Sequence, residues 1–239
     1  MIFPPMPLIK GSNKLLASLP VSDKPDILEI SLSKTRLAPG ARIFDEEIDR
    51  VLFIEKGLVS AMVVTREGDS LGISIIGSEG VVGLTGVSAS DYKFQFRALT
   101  PVDALQISAQ SLTLACSTSG ALEALLRNYS QRLLNDAIRT LVCHYHHDLE
   151  VRLPRWLLTA TERMHSNKLY IKQEILAEAH GVTPAAISLT LEDLESNGLI
   201  ARARGQIAII NRRRLRLRSC HCSPSRDQEK KYIIKTRSL

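Results

Sequence analysis

The hydrophobic pattern divides the chain into a β-rich part and a helical part. Within residues 27–107, short apolar runs such as VLFIEKGLVSAMVV (51–64) are separated by turn signals such as Pro39-Gly40. Several short strands at near-regular spacing predict a sandwich or barrel-like β domain. The leucines of residues 13–19 predict a short helix before this domain.

Residues 122–147 predict one long helix, and residues 151–164 predict a further one. The apolar positions of the long helix recur at near-heptad spacing, and they are Leu122, Leu126, Tyr129, Leu133, Ala137 and Leu141. A stripe of this kind is typical of the seam of a two-chain coiled coil. It is equally typical of a helix that packs on its own β domain, and the pattern favours neither.

The segment 171–210 has the pattern of two short helices followed by two strands. The first apolar repeat ends at Gly181, after which Thr183 can cap a second helix that starts with Pro184. Two alternating segments follow within residues 199–210, with Gly205 at the bend between them. Helix, tight turn, helix and β-wing predict a winged helix-turn-helix, in which the second helix enters the DNA major groove.

Charge supports this interpretation over that of an ordinary helical hairpin with a strand pair. Residues 1–150 carry 14 Lys and Arg against 17 Asp and Glu, a net charge of −3. Residues 151–239 carry 17 against 8, a net charge of +9, and the two parts sum to +6. A basic C-terminal part next to a mildly acidic N-terminal part indicates a polyanionic partner on one side only.

Composition argues against several other classes of protein. The four cysteines form no disulfide framework, which favours a reducing cytoplasm, and we expect neither a signal peptide nor a membrane span. The first histidine is His144 and the first cysteine is Cys116, so the β domain lacks ligands for haem, metal catalysis or an iron–sulfur cluster. We therefore expect no enzyme and no cofactor.

The order of β domain, long helix and winged helix-turn-helix resembles the Crp/Fnr family of bacterial transcription regulators. Segments from about Leu15 to Cys222 carry the resemblance, especially to rhizobial-type members; they are LLASLP (15–20), LAPGARIFDEEIDRVLFIEKGLVSAMV (37–63), RLPRWLLTATERM (152–164), RARGQIAIINRRRL (202–215) and the Ser-Cys-His-Cys ending (219–222). The resemblance implies control of transcription.

An α+β architecture in four parts follows from that resemblance. It implies a cyclic-nucleotide-binding-like jelly roll at 1–120, a dimerisation helix at 121–149, the winged helix-turn-helix at 150–218 and a tail at 219–239. The implied assembly is a cytoplasmic homodimer that binds double-stranded DNA with two half-sites. The resemblance implies no membrane partner, and it implies contact with RNA polymerase if the protein activates transcription. The implied dimer residues are Leu122, Leu126, Tyr129, Leu133 and Leu141.

The effector pocket that the resemblance implies is degenerate. Family members that bind cyclic AMP carry a Gly-Glu pair and later an Arg-Ser or Arg-Thr before an alanine. Here Gly83 keeps the glycine, Leu84 replaces the Glu, and Tyr92, Lys93 and the following Phe94 replace the Arg segment. We expect no binding of cyclic AMP. The alternative is a sensor gated by a cyclic nucleotide or another small ligand that Lys93 and Arg97 hold, although Arg97 is more simply a wall residue.

The recognition helix also departs from the family, whose members commonly carry Arg-Glu and a further Arg where this chain has Pro184, Ala185 and Leu189. The family's usual target sequence is therefore not expected. Phosphate contacts are expected to contribute much of the affinity, and Arg212, Arg213 and Arg214 either add to that field or form a solvated helix face. The expected DNA-binding residues are Lys172, Gln173, Thr183, Pro184, Ala185, Ser188, Leu189, Arg202 and Arg204.

Two cysteine-containing segments are candidate metal ligands. Cys143 could share a helix face with His146 or His147, but a solvated helix end is the simpler interpretation. Cys220-His221-Cys222 places two thiols close together, whereas a structural zinc ion needs about four ligands. We therefore predict no metal site, and a redox role for these thiols is a minor alternative.

Overall fold

The computed structural model describes residues 12–43, 49–84 and 93–222, and the side chains of Lys93 and Phe94 are outside that description. The described chain begins with α1 (Lys14–Ala17), a 3₁₀ turn (Val21–Asp23) and α2 (Asp26–Ser31). Asn13 caps α1, because its side chain accepts a hydrogen bond from the Leu16 amide. The short helix expected at 13–19 is confirmed.

Among the described residues, seven strands then form two antiparallel sheets. The strands are β1 (Ser33–Leu37), β2 (Arg50–Lys56), β3 (Val59–Val64), β4 (Ser70–Ile76), β5 (Val81–Val82), β6 (Lys93–Ala98) and β7 (Val102–Ser108). One sheet has the order β1-β7-β2-β5 and the other the order β4-β3-β6. The predicted β domain is confirmed.

Strand β2 shows why its sequence is continuously apolar. Leu52 and Ile54 point into the cluster between the two sheets. Val51 and Phe53 point to the opposite face, which the helices α1, α2, α3 (Ala109–Thr118) and α4 (Gly120–His146) cover. Because both faces of the strand are buried, the alternation of apolar and polar residues expected for a half-exposed strand is absent.

The long helix α4 has 27 residues and begins at a Ser119 cap, whose hydroxyl accepts a hydrogen bond from the Leu122 amide. Leu122, Leu126 and Tyr129 are buried against the β domain of their own chain. Leu133 is partly buried against the same domain. Leu122, Leu126 and Tyr129 are therefore intramolecular core, which corrects the dimer assignment for these three residues, whereas the dimer role of the partly exposed Leu133 stays a prediction.

The C-terminal domain contains α5 (Leu149–Arg163), β8 (Lys168–Tyr170), α6 (Gln173–His180), α7 (Pro184–Ser196), β9 (Ile200–Ala203), β10 (Gln206–Ile209) and α8 (Arg212–Leu217). Its small sheet has the order β8-β10-β9. The sequence pattern predicts β9 and β10 but not β8, a three-residue strand that pairs with β10.

The tight turn between α6 and α7 follows from three residues. Gly181 ends α6 in the left-handed conformation, with φ of +61°, which a side chain would strain. Thr183 then accepts a hydrogen bond from the Ala186 amide at 3.3 Å, and Pro184 occupies the first helical position. The predicted cap and helix start are confirmed.

The C-terminal domain rests on the β domain of the same chain. A Cβ on Gly72 of β4 would lie 2.5 Å from the Ala179 carbonyl of α6, so the two elements touch. Arg97 of β6 forms an ion pair with Glu178 of α6. Arg163 of α5 lies 3.2 Å from the Asp136 carboxylate of α4. These contacts fix the orientation of the helix-turn-helix relative to the β domain and α4.

Candidate nucleic-acid interface

Helix α7 has one buried face and one open face. Ile187, Leu191 and Leu194 are fully buried in the core of the C-terminal domain. The residues on the open side are Thr183, Pro184, Ala185 and Leu189, which are exposed, and Ser188, which is half-buried. Leu189 is 68% exposed, an unusual position for a leucine in a small domain. The predicted recognition face is thus open to a partner.

A groove lies between α6, α7 and the wing formed by β9 and β10. Its lining includes Lys172, Gln173, Arg202 and Arg204. Lys172 is exposed at the N-cap of α6, and Gln173 starts that helix. Positive helix-end potential and basic side chains therefore coincide here, which favours an anion such as a backbone phosphate.

The two wing arginines have different environments. The Arg202 guanidinium lies 2.8 Å from a Glu195 carboxylate oxygen on α7, and the Arg202 amide donates to the other oxygen at 2.7 Å. These hydrogen bonds lower the pKa of Glu195. Arg204 is exposed and forms no ion pair among the described residues. Arg202 thus joins the wing to α7, and its expected contact with a DNA phosphate stays a prediction.

The arginines of α8 also differ from one another. Arg212 donates to the Glu162 carboxylate at 3.0 Å and to the Thr161 hydroxyl at 2.8 Å, so it joins α8 to α5. Arg213 and Arg214 are exposed. Only the latter two fit the solvated helix face considered from sequence.

The degenerate effector pocket is described only in part. Gly83 has φ of +91°, and Leu84 is half-buried against the core of the β domain. Tyr92 and the Lys93 side chain lie outside the described residues. Arg97 is occupied by Glu178, and burial, followed by repulsion from Arg42, lowers its pKa. Arg97 is therefore an interdomain tie rather than a simple wall residue.

The second half of α4 presents an apolar face to solvent. Its members recur at spacings of three and four residues and are between 49% and 86% exposed; they are Leu134, Ile138, Leu141, Val142 and Tyr145. We call these five residues the open stripe. Of the expected dimer residues, Leu141 alone belongs to it.

Three cysteines meet at the end of α4, a cluster that the sequence analysis missed. The sulfur of Cys143 lies 3.5 Å from that of Cys220, and the sulfurs of Cys143, Cys220 and Cys222 are all within 4.8 Å of one another. Burial raises the pKa of the Cys143 thiol to about 12. His146, considered as a neighbour from helical spacing, is exposed outside this cluster.

Comparison with known proteins agrees with this arrangement. The profile of the Crp-like helix-turn-helix domain matches residues 151–218. FixK2 from Bradyrhizobium japonicum is similar in structure, with a TM-score of 0.69 at 17% identity over 80% of this chain and 99% of that one. A putative regulator of the Crp/Fnr family from Eubacterium rectale has a TM-score of 0.63 at 17% identity over 85% and 96%. No curated protein sequence matches the chain.

A further structure similar to the chain is CLP from Xanthomonas campestris, described as c-di-GMP responsive, with a TM-score of 0.62 at 18% identity over 77% of this chain and 96% of that one. The fold and the matched domain define a winged helix-turn-helix protein with an N-terminal domain of two antiparallel sheets. Residues 151–218 form a Crp-like helix-turn-helix domain, and the chain shares its fold with solved structures of Crp/Fnr-type regulators. Within the described ranges, no helix is both long enough and apolar enough to span a membrane.

Proposed function

We propose that the protein binds double-stranded DNA as a homodimer and regulates transcription from an operator with two half-sites. The observation that carries this proposal is the open face of α7 on a domain of net positive charge. Such a helix fits the major groove, and the groove that contains Lys172 and Arg204 fits the flanking phosphates. It acts in the bacterial cytoplasm, and it contacts RNA polymerase if it activates transcription.

Base recognition in this proposal depends on small polar and apolar groups. Thr183 and Ser188 can exchange hydrogen bonds with base edges, whereas Ala185 and Leu189 can contact thymine methyl groups. Bidentate guanine contacts from α7 are not part of the proposal, since the open face carries no arginine. The operator should therefore be rich in A·T pairs at the positions that α7 contacts.

A second copy of the chain is the proposed occupant of the open stripe. The stripe continues along the same helix that packs on the β domain, and its spacing of three and four residues matches coiled-coil packing. Two helices related by a twofold axis would place two copies of α7 in equivalent positions. That symmetry is the one that an operator with two inverted half-sites requires.

The proposed effector is not cyclic AMP. Leu84 lies against the apolar core and offers no acceptor for a ribose hydroxyl, and Arg97 is held by Glu178. An unpaired hydroxyl alone costs about 1–3 kcal/mol. Calorimetry of the purified protein with cyclic AMP and cyclic GMP is expected to show no saturable micromolar binding. Saturable binding of either nucleotide would contradict this proposal and would make Lys93 and Arg97 candidate ligand-binding residues again.

The DNA-binding proposal is tested by a charge on the open face of α7. Leu189→Glu is expected to weaken binding to duplex DNA by about tenfold or more, because it places a carboxylate among bases and phosphates. The matched control is Leu114→Glu, a similarly exposed leucine on α3 of the β domain. Fluorescence anisotropy measures both affinities. Equal affinities for the two variants would overturn the assignment of α7.

A further inference from the structure

The three thiols of Cys143, Cys220 and Cys222 come from distant parts of the sequence and face one another. Cys143 lies in the last turn of α4, whereas Cys220, 77 residues further along the chain, and Cys222 both follow α8. The Cys220 amide donates to the Val151 carbonyl of α5 at 3.2 Å, which holds the C-terminal segment against the helix pair. Backbone contacts therefore bring the thiols together without any bond between their sulfur atoms.

The separations of the sulfur atoms fit a single metal ion. An ion bound to thiolates at about 2.3 Å in tetrahedral geometry holds its sulfur ligands about 3.8 Å apart. The sulfurs here are 3.5 Å apart for one pair, and no more than 4.8 Å apart for any pair. A disulfide, with its sulfur–sulfur distance of about 2.05 Å, would use two of the thiols and leave the third unexplained.

Positive charge lies next to the cluster. Arg155 is 9% exposed, and its Nε atom is buried without a hydrogen-bond partner in the described part of the chain. Arg152 has a similarly unpartnered Nε, although Asp148 and Glu150 also act on that side chain. Three thiolates around a divalent ion carry a net charge of −1. The Arg155 guanidinium is placed to balance that charge.

We propose that Cys143, Cys220 and Cys222 bind one thiophilic metal ion such as Zn²⁺, with solvent in the fourth position. Cys222 is half-buried, which leaves that side of the cluster open. Each thiol gives its proton to solvent as its sulfur bonds to the ion. The sequence pattern does not predict this site, because neither cysteine-containing segment alone supplies three thiols.

The ion would join the long helix to the DNA-binding domain. One ligand lies on α4, which carries the open stripe, and two ligands follow α8, which packs on α5. Metal binding would therefore fix the orientation of the helix-turn-helix relative to the dimer helix and change DNA affinity. This last step rests on the proposed function, whereas the binding step does not.

Zinc titration of the reduced full-length protein against a competing chelator tests the site. The expected result is one Zn²⁺ per chain, with protection from alkylation at Cys220 and Cys222, the two partly exposed thiols of the cluster. Cys143→Ser and Cys222→Ser should each weaken zinc binding by about 100-fold. Cys222 is the safer variant, since its side chain is less buried than that of Cys143.

The matched control is Cys116→Ser, which changes the fourth cysteine, on α3 beside the β-domain core. It should bind zinc like the unchanged protein. The site would be overturned if Cys116→Ser lost zinc binding or if the unchanged protein bound no stoichiometric zinc. It would also be overturned if a Cys143–Cys220 disulfide were the only product that forms. Circular dichroism confirms that each variant is folded.

Duplex binding measured with and without one equivalent of Zn²⁺ separates the two steps. A change in DNA affinity of about fivefold or more supports the regulatory role. Zinc binding with unchanged DNA affinity keeps the site and overturns the regulation. Zinc binding by a protein that binds no duplex under either condition overturns the proposed function and leaves the metal site standing.

Discussion

The two halves of α4 have similar apolar content but opposite surroundings. In the first half, Leu122 and Tyr129 are 0% and 4% exposed, because the β domain of the same chain covers them. In the second half, Ile138 and Tyr145 are 50% and 86% exposed. A helical pattern of apolar residues indicates only that one face of the helix is to be buried. The length of the β domain along the helix determines which part of that face is buried within the same chain.

The wing shows the same contrast on a smaller scale. Arg202 and Arg204 are two residues apart, and both line the groove beside α6. Glu195 already binds Arg202, whereas Arg204 has no ion pair among the residues the structure describes. A charged side chain that forms an ion pair within its own chain contributes to the fold. A charged side chain without such an ion pair is available to a partner.

The largest effect is expected from truncation in the first half of α4. Leu122→Ala removes a fully buried side chain and should lower the free energy of unfolding by about 2–5 kcal/mol. The mass of the assembly in sedimentation should not change, because Leu122 packs within its own chain. Chemical denaturation measures the loss of stability. A variant that is fully stable but monomeric would reverse the assignment of the two halves.

Tyr129 gives the first half a pH dependence. Burial raises the pKa of its phenol from 10.0 to about 12. A hydrogen bond from the Val81 backbone acts in the opposite direction and lowers the pKa, but burial has the larger effect. Below pH 10 the phenol is neutral in both states, and between pH 10 and 12 only the unfolded chain ionises. The free energy of unfolding should therefore fall by ~2–3 kcal/mol across that window.

The control for this titration is Tyr129→Phe, which has no phenol to ionise. Its free energy of unfolding should fall less steeply between pH 10 and 12 than that of the unchanged protein. Urea denaturation at a series of pH values gives both curves. Parallel curves would show that Tyr129 is not the group that responds.

The second half of α4 should respond to charge by losing association rather than stability. Ile138→Glu places a carboxylate in the open stripe and should weaken the dimer by about tenfold to 100-fold, since a buried unpaired charge is costly. Ala121→Glu, an exposed position at the start of the same helix, is the control. Sedimentation equilibrium measures both. An unchanged dimer constant for Ile138→Glu would show that the open stripe is not the interface.

The smallest effect concerns the wing arginines. Arg204→Ala should reduce the slope of log affinity against log salt concentration by about 1, as expected for one lost phosphate contact. Arg202→Ala should change that slope less, because its guanidinium is bound to Glu195. DNA binding measured at several salt concentrations decides between them. Equal losses of slope would mean that Arg202 leaves Glu195 to contact DNA.

Local signals in the sequence were sufficient for the helix-turn-helix. Gly181, Thr183 and Pro184 act through their own backbone or the next turn, so their roles could be predicted and are confirmed. The same holds for the wing turn at Gly205, where φ is +69°. Features that depend only on neighbours along the chain can be derived from the order of residues.

Features that depend on distant residues could not be derived in this way. The Arg97–Glu178 ion pair joins residues 81 positions apart, and the cluster around Cys143 joins α4 to the segment after α8. The division of α4 into two halves also depends on how far the sheets extend, which no periodicity records. The base-contacting roles given to Ser188 and Leu189 remain predictions.

Selection of bound sequences from a pool of randomised duplexes tests the central claim most directly. A homodimer that reads DNA through α7 should enrich two inverted half-sites whose centres lie about 34–36 Å, or about 10 base pairs, apart or at a multiple of that spacing. Leu189→Glu should abolish the enrichment while Leu114→Glu preserves it. Enrichment of a single unpaired half-site, or of no sequence at all, would contradict the account.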